Sequence, residues 1–364
     1  MQTKSFSIRK FRMADVDCIV ELLKNVFGDE FSRELWLWKY AFNPAGFYGE
    51  KGDIWLAEAG GKIVGYWAVI PERMKVGCET VTVAQAVDAA THPDYRGQGI
   101  FKTLVKQVCM DARNRYPFIF GFPNELYRGY EKLGWRSFRL TEFLYPLNTD
   151  LLLESQLGKN AKFYLAKAVL KTFKIKNFFS FNFHLKKTKN DNIEIKEIRK
   201  FPVIINEFWK LVRSRYKIVI ERDSSFLNWR FSRYFGDYQK FILKSVNDGE
   251  IKGYVILKRT SLRGIPNILE IVDLQTSTDD DGTLEEVIKF VIEIAKREEV
   301  TVIYCRVSTW HRQAKVLRDM GFISVGRLLD YAIYQPRLII YPLSSRLSFE
   351  VNEWFFTLAD TDYA

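Results

Sequence analysis

The chain has 364 residues, 47% of them apolar and 27% charged, which is the composition of a folded protein long enough for two ordinary domains and excludes disorder as the default. Its net charge of +11 is mostly local: no acid lies between Glu154 and Asp191, where nine lysines do, so a nucleic-acid surface spread over the chain is not expected. No apolar run approaches a membrane span, Met1 to Lys10 lacks the apolar core of a signal peptide, and the four cysteines and three histidines show no metal or redox spacing; a cytoplasmic protein without a metal is expected.

In chain order, a strand near "SFSIRKF" precedes a helix over Asp15 to Phe27, on which Val16, Ile19, Val20, Leu23 and Phe27 recur at helical spacing and Asp15 can serve as N-cap. "DIWLAEA" and "GKIVGYWAVI" read as strands joined by a tight Gly60-Gly61 turn, and "TVTVAQAVDAA" as the next strand. After "HPDYRGQG" comes a helix with Phe101, Leu104, Val105 and Val108 along one face. "FIFGF" is a short buried strand, "ELYRGYEKLG" a helix ended by Gly134, and "FRLTEFLYPL" a last strand. Helices inserted between strands in this order predict a mixed α/β sheet covered on both faces.

The pattern then repeats. "GKIVGY" at 61–66 returns as "GEIKGY" at 249–254, "AVDAAT" at 86–91 as "IVDLQT" at 271–276, and "EKLGW" at 131–135 as "LRDMGF" at 317–322. Matches in the same order at nearly constant offset indicate a tandem duplication. The expected division is 1–147, a basic linker 148–192, and 193–364.

The turn at residues 96–99 has the features of an anion site. The first amides of the following helix have no partner within it, and the macrodipole puts partial positive charge there. Gly97 and Gly99 let the main chain approach a ligand, and Arg96 adds a charged donor for phosphate oxygens.

"HPDYRGQGIF", between a strand carrying "VDAA" and an amphipathic helix, followed about 30 residues later by "GFPNELYRGYEKLGW", resembles the GNAT superfamily of acyl-CoA-dependent N-acyltransferases. The resemblance covers Phe6 to about Leu147, and reaches the second half only through the repeat. It implies two tandem GNAT-like domains, with acetyl-CoA or another acyl-CoA as co-substrate. The diphosphate would lie on Arg96, Gly97, Gln98, Gly99 and Ile100, and the thioester and pantetheine along Val87 and Ala89, where a bulge would free backbone amides. Asn124 would hold the pantetheine arm or cap a helix. Tyr130 matches the family tyrosine that protonates the departing thiolate; a phenol with a reference pKa of about 10 can do this at neutral pH, and Tyr127 is its rival. Asp88 is the first candidate for general base, with Glu72, Asp29 and Glu30 as alternatives. One departure is Phe101, where the superfamily has Gly or Ala; it either narrows the cradle or faces the core.

By the same resemblance, a primary amine attacks the thioester in a ternary complex, and positioning alone can contribute roughly 7 to 11 kcal/mol. In the second copy Asp281 stands at the place of Arg96, beside further aspartates, and would repel a diphosphate, so that copy is expected to bind no coenzyme. Rings of the entry segment, Trp36, Trp38 and Tyr40 among them, could line a pocket for a small-molecule amine such as an amino sugar or sugar nucleotide; hydrophobic packing explains them as well. The stretch 159–189 has the pattern of a membrane-surface helix or of a linker helix with a solvated basic edge, the latter being preferred. Two further functions compete: a Fem-type aminoacyl-tRNA-dependent transferase, against which the intact "RGQG" argues, and a non-catalytic binding protein. The oligomeric state is left open.

Overall fold

The computed structural model describes residues 5–123, 126–159, 192–232, 236–262, 264–277, 281–324, 337–344 and 350–361. Along the chain come β1 (Ser7–Lys10), α1 (Val16–Phe27), α2 (Arg33–Trp36), β2 (Ile54–Ala59), β3 (Lys62–Val76), β4 (Glu79–Thr91), α3 (Ile100–Ala112), β5 (Phe118–Gly121), α4 (Tyr127–Glu131), β6 (Arg136–Arg139), β7 (Glu142–Pro146) and α5 (Thr149–Leu157). The remainder forms β8 (Ile193–Ile198), α6 (Ile205–Arg213), β9 (Ile218–Ile220), α7 (Ser224–Arg230), β10 (Tyr238–Ser245), β11 (Ile251–Leu262), β12 (Ile265–Thr276), α8 (Asp281–Arg297), β13 (Val302–Arg306), α9 (Arg312–Asp319), β14 (Ile323–Ser324) and β15 (Arg337–Pro342).

Two compact units result. The first comprises Met1–Arg139, Lys217–Glu221 and Pro336–Glu353; the second comprises Leu140–Tyr216, Arg222–Gln335 and Trp354–Ala364. Each is a mixed sheet flanked by helices, the α/β class expected. The first sheet runs β1-β2-β3-β4-β5-β15-β6, with β9 added beside β3, and the second runs β8-β10-β11-β12-β13-β7-β14. In both, among the described residues, one parallel pairing, β4 with β5 and β12 with β13, interrupts an otherwise antiparallel order.

The units interleave along the chain, so their limits differ from the expected boundaries at 147 and 193. In the first sheet β15 lies between β5 and β6, pairing Ile340 with Phe120 on one side and Arg136 on the other. In the second, β7 lies between β13 and β14, so that Tyr304 and Ile323 both face Leu144. The expected single strand "FRLTEFLYPL" is therefore two strands, divided at Leu140 and Thr141, that serve different sheets.

Local chemistry accounts for most of the first unit. Val16, Ile19, Val20, Leu22 and Leu23 are the buried stripe of α1. Asp15 stands at its N-cap position but makes no side-chain cap. Instead its carboxylate accepts from Arg9 at 2.7 and 2.8 Å and from the Arg12 amide at 2.8 Å. Gly60 and Gly61 take φ +56° and +77°, both left-handed, as a two-residue hairpin turn requires. At Gly65 on β3 the helix α3 comes close: a β-carbon there would overlap Ile100 Cγ2 and lie 2.9 Å from the Ala57 Cβ.

The basic stretch expected to form a helix, including Phe163, Ala166, Leu170 and Phe173, lies outside the described residues apart from its first positions. Among the described residues no helix is long and apolar enough to cross a membrane, and no group of three or more His, Cys, Asp or Glu side chains could hold a metal ion.

Candidate active site

The first sheet opens at its parallel pairing. β4 pairs with β5 only over Ala84, Gln85 and Ala86, opposite Ile119, Phe120 and Gly121, and then continues to Thr91 with β3 as partner. At the end of the pairing the strands are close, since a β-carbon on Gly121 would be 3.1 Å from the Ala86 carbonyl oxygen. Immediately afterwards β4 bulges. Tyr66 pairs with Ala90 and Ala68 with Val87, so three steps along β4 match two along β3, and Asp88 takes φ +48°. The bulge expected around Val87, Asp88 and Ala89 is present; Val87 is buried, and Ala89 packs against the core that holds Trp67 and Tyr130.

A left-handed aspartate in a strand needs to be held, and two side chains of the entry segment hold it. Lys39 Nζ donates to Asp88 Oδ1 at 2.8 Å and the Tyr40 hydroxyl to Oδ2 at 2.6 Å. Burial and the Asp88 charge keep the phenols of Tyr40 and Tyr66 well above their ordinary range, so both stay protonated. The Trp36 indole donates in turn to the Tyr66 hydroxyl at 3.3 Å. These residues belong to the core: Trp36, Trp38 and Tyr40 are 1%, 4% and 1% exposed, and Trp36 stacks on Tyr40 with centroids 4.8 Å apart. The three rings expected to line an open acceptor pocket are thus interior. The reason is geometric: α2 passes into a wider helical turn, closed by the Phe42 amide on the Leu37 carbonyl, which directs the segment inward against β3 and β4.

From Thr91 the chain makes a short turn over Pro93–Tyr95, where His92 Nδ1 accepts from the Asp94 amide at 3.3 Å. Arg96 is exposed, its Nε donating to the Thr91 carbonyl at 3.4 Å. Gly97 and Gly99 have φ +76° and +83°, and a side chain at either would meet no atom within 4 Å. The first glycines of the loop are therefore dictated by backbone conformation and by open space beside them, not by packing. α3 begins at Ile100 with Gly99 as N-cap and no side-chain cap, so its first amides face that space. Gln98 Oε1 is buried without a partner among the described residues. The donor set and the room beside it fit an anionic diphosphate.

Phe101 does not enter this space. Its ring meets Tyr130 edge-on at 5.1 Å, in the core. Tyr130, 4% exposed, lies between Phe101 and Trp135, and its oxygen accepts from Trp67 Nε1 at 2.8 Å. Tyr127 is half-buried; Arg128 Nε donates to its oxygen at 3.1 Å, which holds that phenol below its ordinary value, and the Arg337 guanidinium lies 3.9 Å from its ring centre. Asn124 lies outside the described residues. Lys39, Tyr66, Trp67 and Arg337 were not singled out from the sequence. Tyr66 stands in the repeated "GKIVGY", a local signal that could have found it.

The second sheet is also irregular beside its parallel pairing. β12 pairs with β13 up to Ile271 opposite Cys305, and a register shift follows at once. Asp273, aligned with Asp88 in the repeat expected from the sequence, is fully buried and accepts from Arg222 at 3.2 Å and Tyr254 at 2.7 Å. Asp281, aligned with Arg96 in the expected repeat, is the first residue of α8 and is paired with Arg312 at 2.5 Å.

Residues 7–138 match the family model described as an acetyltransferase (GNAT) domain. In sequence, no curated protein matches the chain. Among solved structures it is similar to a GCN5-related N-acetyltransferase from Anabaena variabilis, at 14% identity and a TM-score of 0.60, over 93% of this chain and 73% of that one. A GCN5-related N-acetyltransferase from Kribbella flavida gives 13% and 0.58 over 93% and 71%. N-myristoyltransferase from Saccharomyces cerevisiae, with bound myristoyl-CoA, gives 14% and 0.55 over 93% and 78%. At such identities the likeness is one of fold.

Proposed function

We infer, taking the GNAT acetyltransferase domain over residues 7–138 as premise, that the protein is an acyl-CoA-dependent N-acyltransferase acting on a primary amine of a small molecule. The observation that carries this reading is the continuity of three features on one strand: the opening of β4 from β5, the bulge at Asp88, and the loop of Gly97 and Gly99 that feeds the uncapped start of α3. Together they offer backbone donors first to a thioester and then to a diphosphate.

Bound acyl-CoA supplies an activated carbonyl. Arg96 and the amides from Gly97 to Ile100 would hold its diphosphate, and the main chain around Val87 and Ala89 would align the acyl end. Tyr130 is assigned as proton donor to the departing sulfur, with Tyr127 as the alternative. Asp88, with both oxygens engaged by Lys39 and Tyr40, is assigned to holding the bulge instead of serving as base. The matching strand orders of the two sheets support a duplicated origin, and the Asp281–Arg312 pair supports a second copy without a coenzyme site. An amino sugar is an acceptor class to test, without ring stacking by Trp36, Trp38 and Tyr40, whose interior position removes those residues from the case.

Calorimetric titration with acetyl-CoA tests the cradle. The wild type should bind, and Arg96→Glu should weaken binding at least about tenfold, one lost charge-assisted contact being worth about 1.5–3 kcal/mol. Equal affinities would reject the assignment. Thiol release from acetyl-CoA in the presence of glucosamine or an amino-sugar nucleotide tests the activity itself.

A further inference from the structure

Trp67 lies at the centre of the irregularity just described. It is the β3 residue between Tyr66 and Ala68, the two positions whose pairings bracket the bulge of β4. Its ring is fully buried, and its Nε1 donates to Tyr130 Oη at 2.8 Å. An indole N–H can only donate, so the phenol oxygen is the acceptor in this bond and the Tyr130 proton is committed to none of it. Packing alone does not demand the bond. Trp135 also lies against the Tyr130 ring, at 5.0 Å, and its buried Nε1 has no hydrogen-bond partner among the described residues.

We propose that Trp67 is a positioning residue for the proton donor Tyr130: its indole N–H orients the phenol and stabilises the phenolate formed when the proton leaves. The proposal rests on the acyltransferase reading above. As the amine nitrogen bonds to the acyl carbon and the carbon–sulfur bond breaks, Tyr130 gives its proton to the thiolate. The amine's surplus proton passes to solvent, and solvent returns one to the phenolate. A donor already aimed at the phenol oxygen favours its charged form and so makes Tyr130 a stronger acid at that moment, with no rearrangement of the core. The same stretch of β3 thereby carries both the strand opposite the bulge and the support of the acid, which ties the place where the acyl group lies to the place from which the proton comes.

The test removes the N–H and keeps the ring. The benzothiophene analogue of tryptophan, incorporated at position 67, is isosteric, and Trp67→Phe is the simpler companion. In protein labelled with 3-fluorotyrosine, the Tyr130 fluorine resonance, assigned with Tyr130→Phe, should titrate about one pH unit or more higher in either variant than in the wild type. An unchanged midpoint overturns the proposal, with or without turnover. With acetyl-CoA and glucosamine, kcat should fall about tenfold while KM for acetyl-CoA stays within about twofold. With an acetyl thioester of an acidic aryl thiol, whose leaving group needs no proton, variant and wild type should agree; a deficit that persists with that donor marks a merely structural role and overturns the proposal. A wild type that transfers no acetyl group to any amine overturns the acyltransferase reading itself, and with it this role, whereas an active wild type matched by its variants overturns only the role of Trp67.

Discussion

Lys39 Nζ and Asp88 Oδ1 are 2.8 Å apart, and both side chains are only 7% exposed. The pair links a helical entry segment to the single left-handed non-glycine residue of β4, so a charge interaction fixes the backbone shape on which the candidate site depends.

Removing one partner of such a pair leaves a buried charge. Lys39→Met should destabilise the protein by about 3–5 kcal/mol, and the double variant with Asp88→Asn by clearly less, because the neutral amide tolerates both burial and a left-handed φ. Urea unfolding of the single and double variants checks this; equal losses would place the stabilisation elsewhere.

Gly65 is the contact point between β3 and α3. Gly65→Val would force Ile100 and Ala57 apart, costing about 1–3 kcal/mol and tilting the start of α3. Denaturant midpoint and acetyl-CoA affinity should fall together, whereas Gly77→Ala, with nothing within 4 Å of the added carbon, should leave affinity unchanged.

β5 and β6 are joined in their sheet only through β15. A fragment ending at Glu221, which keeps β9, should therefore fail to form a cooperatively folded first unit, and a peptide spanning 336–353 should restore structure on addition. Circular dichroism and amide exchange report the outcome; a fragment that is fully folded by itself would contradict the essential role of the inserted strand.

His311 caps α9 through Nδ1, and burial lowers its pKa from 6.5 to about 4. Between those values the unfolded chain binds a proton that the folded one refuses. Its contribution is therefore fully present above pH 6.5 and is lost as pH falls towards 4, up to about 3 kcal/mol. His311→Asn keeps a capping acceptor and cannot ionise, so its unfolding free energy should fall less steeply across this window.

The site loop was readable because its constraints are local. Gly97, Gly99 and the periodicity of Ile100 to Ala112 declare a left-handed turn entering a helix, whatever surrounds them. The bulge around Asp88 was anticipated from the resemblance; its cause, the hold of Lys39 and Tyr40, was not, because those residues lie 49 and 48 positions away. Trp36 and Tyr40 show another limit, since a ring that packs and a ring that lines a pocket have the same letter and the same spacing.

By itself, then, the sequence determined most of the succession of strands and helices, and the glycine turn with its cationic arginine. Tertiary structure alone decided that "FRLTEFLYPL" divides between two sheets, that β15 joins Arg337 to Arg139 across nearly two hundred residues, and that the Trp67 indole donates to the Tyr130 hydroxyl. Periodicity and turn chemistry are properties of neighbours along the chain. Strand insertion and buried hydrogen bonds are properties of neighbours in space, and the letters record them only where the same contact also constrains the backbone locally.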